Sequence, residues 1–244
     1  MKKNVIILTS GLSGSSVLAA LVARAGYWIG DETFSKEEYA TFENSRLIEL
    51  NLKLMCEAGY KGNYLMEFAA DTITAINSLY SRIGSAEYRS FVAACESRRP
   101  WIWKDPRLWM TIRFWRNFLN RDDCRFILLT RSSLQIWISA MLRRQITTYR
   151  YHRRYEGLIH ESAVSFCWEY NLPYLHVTYE DLILHPAEVI GRVNGHLDTS
   201  LTVEDLQAVY HKPLYRSPRN SGLKHLKAML IYLKNYSSRL DLPV

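Results

Sequence analysis

Short apolar runs alternate with stretches of helical periodicity along most of the chain. Val5-Ile6-Ile7-Leu8-Thr9 is a β-branched run that stops at a Ser/Gly turn, which predicts a strand over 5–9. The following stretch, 15–25, carries its apolar residues at helical spacing and ends at Gly26, which predicts a helix closed by a glycine cap. Runs at 101–103, 126–130 and 174–178 have strand character, the last one after the turn signal Asn171-Leu172-Pro173. Helical spacing over 108–118 and 134–144 fills the gaps. Strands alternating with helices predict a parallel sheet covered on both faces. Two long stretches, 36–57 and 71–98, read as helices and make an inserted helical region over about 30–98. The C-terminal third reads as helical at 186–197, 203–210 and 223–236. No repeat, low-complexity segment or linker divides the sequence, so a single domain over 1–244 is expected.

In an open parallel sheet, ligands bind beyond the carboxyl ends of the strands. The polar residues there are 10–16, 104–107, 131–133 and 179–181. Gly11-Leu12-Ser13-Gly14-Ser15-Ser16 places two glycines and three serines between a strand and a helix N-terminus. Such a turn points successive N–H groups inward and adds the helix dipole, which suits a phosphate. The plainer reading is a βα turn with serine caps. No lysine follows Gly14, so the nucleotide-kinase pattern G-x-x-x-x-G-K-[ST] lacks its phosphate-binding cation.

Composition narrows the classes. With 244 residues, 48% of them hydrophobic, the chain can bury a sizeable core, which excludes a disordered or fibrous protein. The net charge of +7 favours anionic partners. Arginine outnumbers lysine 21 to 10, which suits bidentate contacts to phosphate, sulfate or carboxylate. Between Asp123 and Glu156 there is no acidic residue, and five arginines fall within 143–154. That cluster either gathers anions or forms the solvated face of a helix. It lacks the broad basic face and recognisable module of a nucleic-acid binder, so no nucleic-acid partner is expected. Cys56, Cys95, Cys124 and Cys167 show no metal-ligand spacing and read as thiols of a reducing compartment. No signal-type apolar segment and no apolar run of about 18 residues is present, so a cytoplasmic protein without a transmembrane segment is expected.

Four ordered segments resemble the sulfotransferases that use 3'-phosphoadenosine 5'-phosphosulfate (PAPS). Ser13-Gly14-Ser15-Ser16 resembles their loop for the 5'-phosphosulfate. Trp103-Lys104-Asp105-Pro106-Arg107-Leu108 resembles the Lys-Asp-Pro-Arg signature of bacterial members. Arg131 and Ser139 resemble the pair that grips the 3'-phosphate, and Tyr179-Glu180-Asp181-Leu182 is similar to a segment near the adenine. The resemblance covers most of 4–198 and leaves the helical insertion and the tail poorly matched. It implies a P-loop-like, three-layer α/β/α fold and transfer of a sulfuryl group from PAPS, leaving the bisphosphate PAP, without a metal. The acceptor would be a hydroxyl or amine of a small molecule or saccharide. Gly11, Ser13, Gly14, Ser15, Ser16, Arg131, Ser139, Tyr179 and, from a late basic segment, Arg219 are then expected to bind the nucleotide. Lys104, Asp105 and Arg107 are expected at the chemistry, with Lys104 as the leading cation. A nucleotide kinase and a non-catalytic nucleotide-binding protein are the alternatives.

Two positions depart from the family pattern. Pro106 stands where cytosolic members carry a histidine base, so a carboxylate is expected to take that role, Asp105 first and Glu67 second. Asp105 reads equally well as a cap for a helix opening at Pro106. Leu12 stands where the family has Lys or Arg, with Lys104 and Arg107 as possible substitutes. Trp28, Phe34 and Tyr39 are candidates for the wall of an acceptor cleft, and the arginines of 143–154 fit an acidic acceptor.

Overall fold

Strand β1 (Asn4–Thr9) is buried at every position, because it runs through the middle of a sheet with a layer of helices on each side. The computed structural model describes residues 2–36, 39–210 and 222–242. Four strands, β1, β4 (Ile102–Lys104), β5 (Cys124–Thr130) and β6 (Tyr174–Thr178), form a sheet in the order β4-β1-β5-β6, parallel throughout. The register pairs Ile7 with Lys104 on one side of β1 and with Ile127 on the other.

The period of two along each strand sorts its side chains between two cores. Ile6, Leu8, Trp103, Phe126 and Leu128 point to one face. There they meet α2 (Ser45–Glu57), α3 (Ala70–Ser78), α4 (Ala86–Glu96), α5 (Leu108–Trp115) and α7 (Tyr149–Glu169). Val5, Ile7, Ile102, Ile127, Leu129 and Val177 point to the other. That core is closed by α1 (Ser15–Ala23), α8 (Tyr179–Leu184), α9 (Pro186–Leu197) and α10 (Val203–Val209). Each of the four apolar side chains of β1 stabilises the fold by about 1.5–3 kcal/mol through burial. The sheet is thus the centre of the α/β/α sandwich expected from the alternation of elements.

The inserted region departs from the expectation of helix alone. The stretch read as a helix over 36–57 begins instead with an antiparallel hairpin, β2 (Thr33–Lys36) and β3 (Tyr39–Asn44), and only then enters α2. Asn44 marks the change: its side chain accepts from the Leu47 amide at 3.1 Å and caps α2. The stretch over 71–98 divides into α3, a short 3-10 turn and α4. Helix α7, the longest of the described residues, follows α6 (Ser133–Leu142) and lays His152, Tyr155, Ile159, Ala163 and Phe166 against the sheet. Helix α11 (Gly222–Lys234) packs on α6.

Candidate active site

The turn after β1 needs backbone conformations that few side chains adopt. Leu12 and Gly14 both lie in the left-handed region, at φ 65 and φ 85. A Cβ on Gly14 would sit 2.3 Å from the Tyr179 ring, so this position has neither the conformational freedom nor the space for alanine. The loop is fixed from beneath. The Thr9 hydroxyl lies 2.6 Å from that of Ser13 and 2.8 Å from the Leu129 carbonyl, and Ser13 Oγ donates to the Ser10 carbonyl at 3.1 Å. Ser13, fully buried, therefore anchors the turn, while Ser15 and Ser16 open α1.

Ser10 ties this turn to α7, donating to Glu156 Oε2 at 2.7 Å. Burial pushes the Glu156 carboxyl up to about 7. One helical turn earlier, His152 is pushed down to about 4 by the same cause, so both groups are held neutral at pH values between. Glu156 Oε1 and His152 Nε2 lie 3.8 Å apart, and neither has a hydrogen-bond partner among the described residues. Glu156 also lines a small cavity of about 20 Å³ with Ser10 and Thr9, room for one water.

Lys104 ends β4 with its side chain 3% exposed. Its ammonium donates to Glu43 Oε1 at 2.6 Å, to the Thr41 carbonyl at 3.0 Å and to Ser16 Oγ at 3.3 Å. Glu43 and Thr41 belong to β3, so the hairpin brings a carboxylate that the sequence reading had not singled out against the leading cation. Sequence signals for it existed in the Asn44-Ser45 cap and in the alternation of Tyr39-Ala40-Thr41-Phe42 before it.

Asp105 sits beneath the cleft, at the start of the turn into α5. It is fully buried and accepts from Asn51 Nδ2 at 2.8 Å and from the Arg107 amide and guanidinium at 2.9 and 2.8 Å. Its oxygens are thus spent on holding α2, the turn and Arg107 together. Glu67 lies in a turn, its amide donating to the Asn63 carbonyl at 2.8 Å, and it is not among the residues lining the cleft described below. Arg107, fixed by Asp105, donates to the Tyr64 hydroxyl at 2.8 Å and lies 4.5 Å from the centre of that ring. Burial pushes the Tyr64 phenol above its ordinary range, keeping it a neutral partner.

Arg131, just past β5, donates to the Leu12 carbonyl at 3.0 Å and lies 4.9 Å from the centre of the Tyr179 ring. Ser139, two turns along α6, donates to the Gln135 carbonyl at 2.8 Å. Tyr179, at the start of α8, is buried, and the Thr178 hydroxyl caps that helix. Arg219 lies outside the described residues.

These elements enclose one cleft of about 350 Å³. The turn from Gly11 to Ser16, Lys104, Arg107, Arg131, Ser139 and Tyr179 all line it, joined by Glu43, Tyr64 and Arg143. Four cations line the cleft; Glu43 pairs with Lys104 and the buried Asp105 with Arg107, which leaves an excess of positive charge from Arg131 and Arg143. Arg143 parts company with the rest of its cluster: Arg150, Arg153 and Arg154 line a separate surface hollow. Of the aromatic candidates, Phe34 lines the cleft and Trp28 packs against the core, while the side chain of Tyr39 is outside the described set. No group of metal-ligating side chains occurs among the described residues.

The sulfotransferase domain of the Synechococcus PCC 7002 olefin synthase superimposes over 98% of this chain and 95% of its own, with a TM-score of 0.56 at 16% identity. The chain shares that domain's fold. A sulfotransferase of Mycobacterium avium aligns over 97% of this chain and 76% of its own, at a TM-score of 0.48 and 15% identity. No protein-family model and no curated relative matches the sequence. Among the described residues, no helix is long and apolar enough to cross a membrane.

Proposed function

We propose that the protein is a sulfotransferase that takes a sulfuryl group from PAPS. The observation that carries this reading is the single cleft in which a serine-rich turn, Arg131 with Ser139, and a buried Lys104–Glu43 pair meet. A donor with a phosphosulfate at one end and a phosphate at the other needs two anion sites separated by a nucleoside. The donor set fits that need. The N–H groups of 11–16 and the hydroxyls of Ser15 and Ser16 hold the phosphosulfate, and Arg131 and Ser139 hold the 3'-phosphate. Tyr179 offers its ring beside them.

PAPS supplies an activated sulfuryl group whose release leaves PAP. Lys104 stabilises the negative charge that grows as the acceptor oxygen approaches and the bridging bond weakens, a preorganised cation acting in a site with little water. Glu43, whose Oε1 is held by Lys104, takes the acceptor's proton on Oε2, so that Glu43 and not Asp105 is the base. Arg143 and Arg107 supply the cationic field that Leu12 does not. The acceptor is a hydroxyl or amine entering past Phe34, and the excess of cations favours an acidic molecule.

Calorimetry with PAP and with ATP plus magnesium tests the nucleotide. PAP binding with little response to ATP supports the reading; tight magnesium–ATP binding with none of PAP overturns it in favour of a kinase. Radiolabelled PAPS with an acceptor library, in the absence of added metal, tests the transfer.

A further inference from the structure

Helix α11 turns two unlike faces outward and inward. Ala228, Ile231 and Tyr232 pack on α6, with the Tyr232 ring 5.6 Å from Trp137. On the other side Leu223, Leu226, Leu230 and Leu233 recur at spacings of three and four, 80%, 58%, 59% and 60% exposed. Six of the thirteen large apolar side chains exposed among the described residues fall between Leu223 and Tyr236. The flank carries exposed Lys224, Lys227 and Lys234, and 222–240 contains no aspartate or glutamate.

The basic character continues into the neighbouring element. Leu240 pairs its backbone with Ile146 and Thr148, immediately before α7. Arg150, Arg153 and Arg154, all exposed, stand on the first turns of that helix around a hollow shared with Leu242 and Glu161, so that three cations there face one carboxylate, while Asp241 beside Leu242 is paired with Arg239. The exposed Tyr149 packs against Trp137, which in turn meets Tyr232. A leucine stripe, flanking lysines and exposed tyrosines make one continuous margin of the molecule.

We propose that this margin docks on anionic lipid bilayers, with the leucines of α11 in the boundary between headgroups and acyl chains and the lysines on lipid phosphates. Both halves of the surface are then satisfied: apolar area leaves water, and the cations meet fixed negative charge. A second copy of the chain fits less well, because α11 against α11 would set lysines against lysines with no acidic residue on either helix to pair with them. A nucleic acid would leave the leucines in water. The inner face of α11 belongs to the same cluster that Leu12 packs on, so docking brings the cleft wall formed by Leu12, Ser139 and Arg143 close to the bilayer. The inference stands on this surface alone and does not depend on the reaction.

Co-sedimentation of the full chain with phosphatidylcholine vesicles, with and without phosphatidylglycerol, is the test. The protein should pellet with the anionic vesicles and remain free with phosphatidylcholine alone. Leu226→Ser with Leu230→Ser should lower the partition coefficient about tenfold or more, and each of Lys224→Gln, Lys227→Gln and Lys234→Gln about fivefold. The lysine variants, at exposed positions of α11, keep the test valid where the double leucine variant unfolds. Failure of the wild type to bind anionic vesicles, equal binding to both vesicle types, or unchanged binding by the lysine variants overturns the proposal. So does a dimer in sedimentation velocity that Leu226→Ser with Leu230→Ser converts to monomer, which would assign the stripe to a second copy.

Discussion

Glu156→Gln separates two opposing titrations that lie beneath the turn after β1. Burial moves the Glu156 carboxyl from 4.5 to about 7 on folding, so the folded chain holds this proton more tightly than the unfolded one. Stability from this group is complete below about pH 4.5 and is lost as pH rises through about 7. At about 1.4 kcal/mol per pH unit the whole effect is about 3 kcal/mol. His152 runs the other way. Burial lowers its imidazole from 6.5 to about 4, so its contribution is present above about pH 6.5 and is lost as pH falls through about 4, again by about 3 kcal/mol. Between about pH 4.5 and 6.5 the two slopes offset each other in the native protein. Glutamine keeps the shape of Glu156 and an acceptor for the Ser10 hydroxyl but carries no titrating proton. Urea denaturation followed by tryptophan fluorescence at a series of pH values compares the two proteins, and groups common to both cancel in the difference. The variant should match the wild type within about 1 kcal/mol near pH 5 and exceed it by about 3 kcal/mol near pH 8. A difference that stays constant across that range would refute a buried, proton-holding Glu156.

Four further substitutions probe the cleft and its support. Lys104→Met should cut turnover with PAPS by about 10²-fold or more, because a fixed cation at the developing charge is removed, while PAP still binds in calorimetry. The same change strands the Glu43 carboxylate and should cost about 3–5 kcal/mol of stability in urea denaturation. Glu43→Gln should lower kcat about 10²-fold, leaving KM for PAPS unchanged. Asp105→Asn should instead destabilise the fold by about 3–5 kcal/mol, since the buried Arg107 guanidinium loses its counter-ion, and equal stability of the variant would remove Asp105 from its structural role. Gly14→Ala should cost at least about 1–2 kcal/mol from its left-handed backbone alone, with added displacement of Tyr179, and should abolish the thermal shift produced by PAP.

Strands β1, β4 and β5 were legible because their sequences are short, apolar and buried almost throughout, as a central parallel sheet requires, and β6 because the turn signal Asn171-Leu172-Pro173 precedes it. The cleft residues at strand ends were legible for the same reason: once β1, β4, β5 and β6 are placed, Gly11, Lys104, Arg131 and Tyr179 share one edge. Charge obscured the rest. Lys36-Glu37-Glu38 resembles the solvated face of a helix, and hid the hairpin that carries Glu43. Only the solvated arginine face of α7 was open to view, because its inward positions include His152 and Ala163 while its arginines dominate the pattern. Glu156 could not be foreseen, since an acidic residue is ordinarily exposed and only the packing of α7 against β1 keeps it from water.

The order β4-β1-β5-β6 also dictates a history for each molecule as it is made. The earliest of the four strands in the sequence is an inner one, and it receives its partners only when Ile102–Lys104 and Cys124–Thr130 join it; the hydroxyl of Thr9 meets a carbonyl 120 positions later. Until both partners are in place the strand has two bare edges, and pairing between such distant parts of the sequence is the kind of topology that slows folding. The turn at Gly11 to Ser16 is therefore encoded early and completed late. Its form is settled only after Tyr179 arrives to close against Gly14.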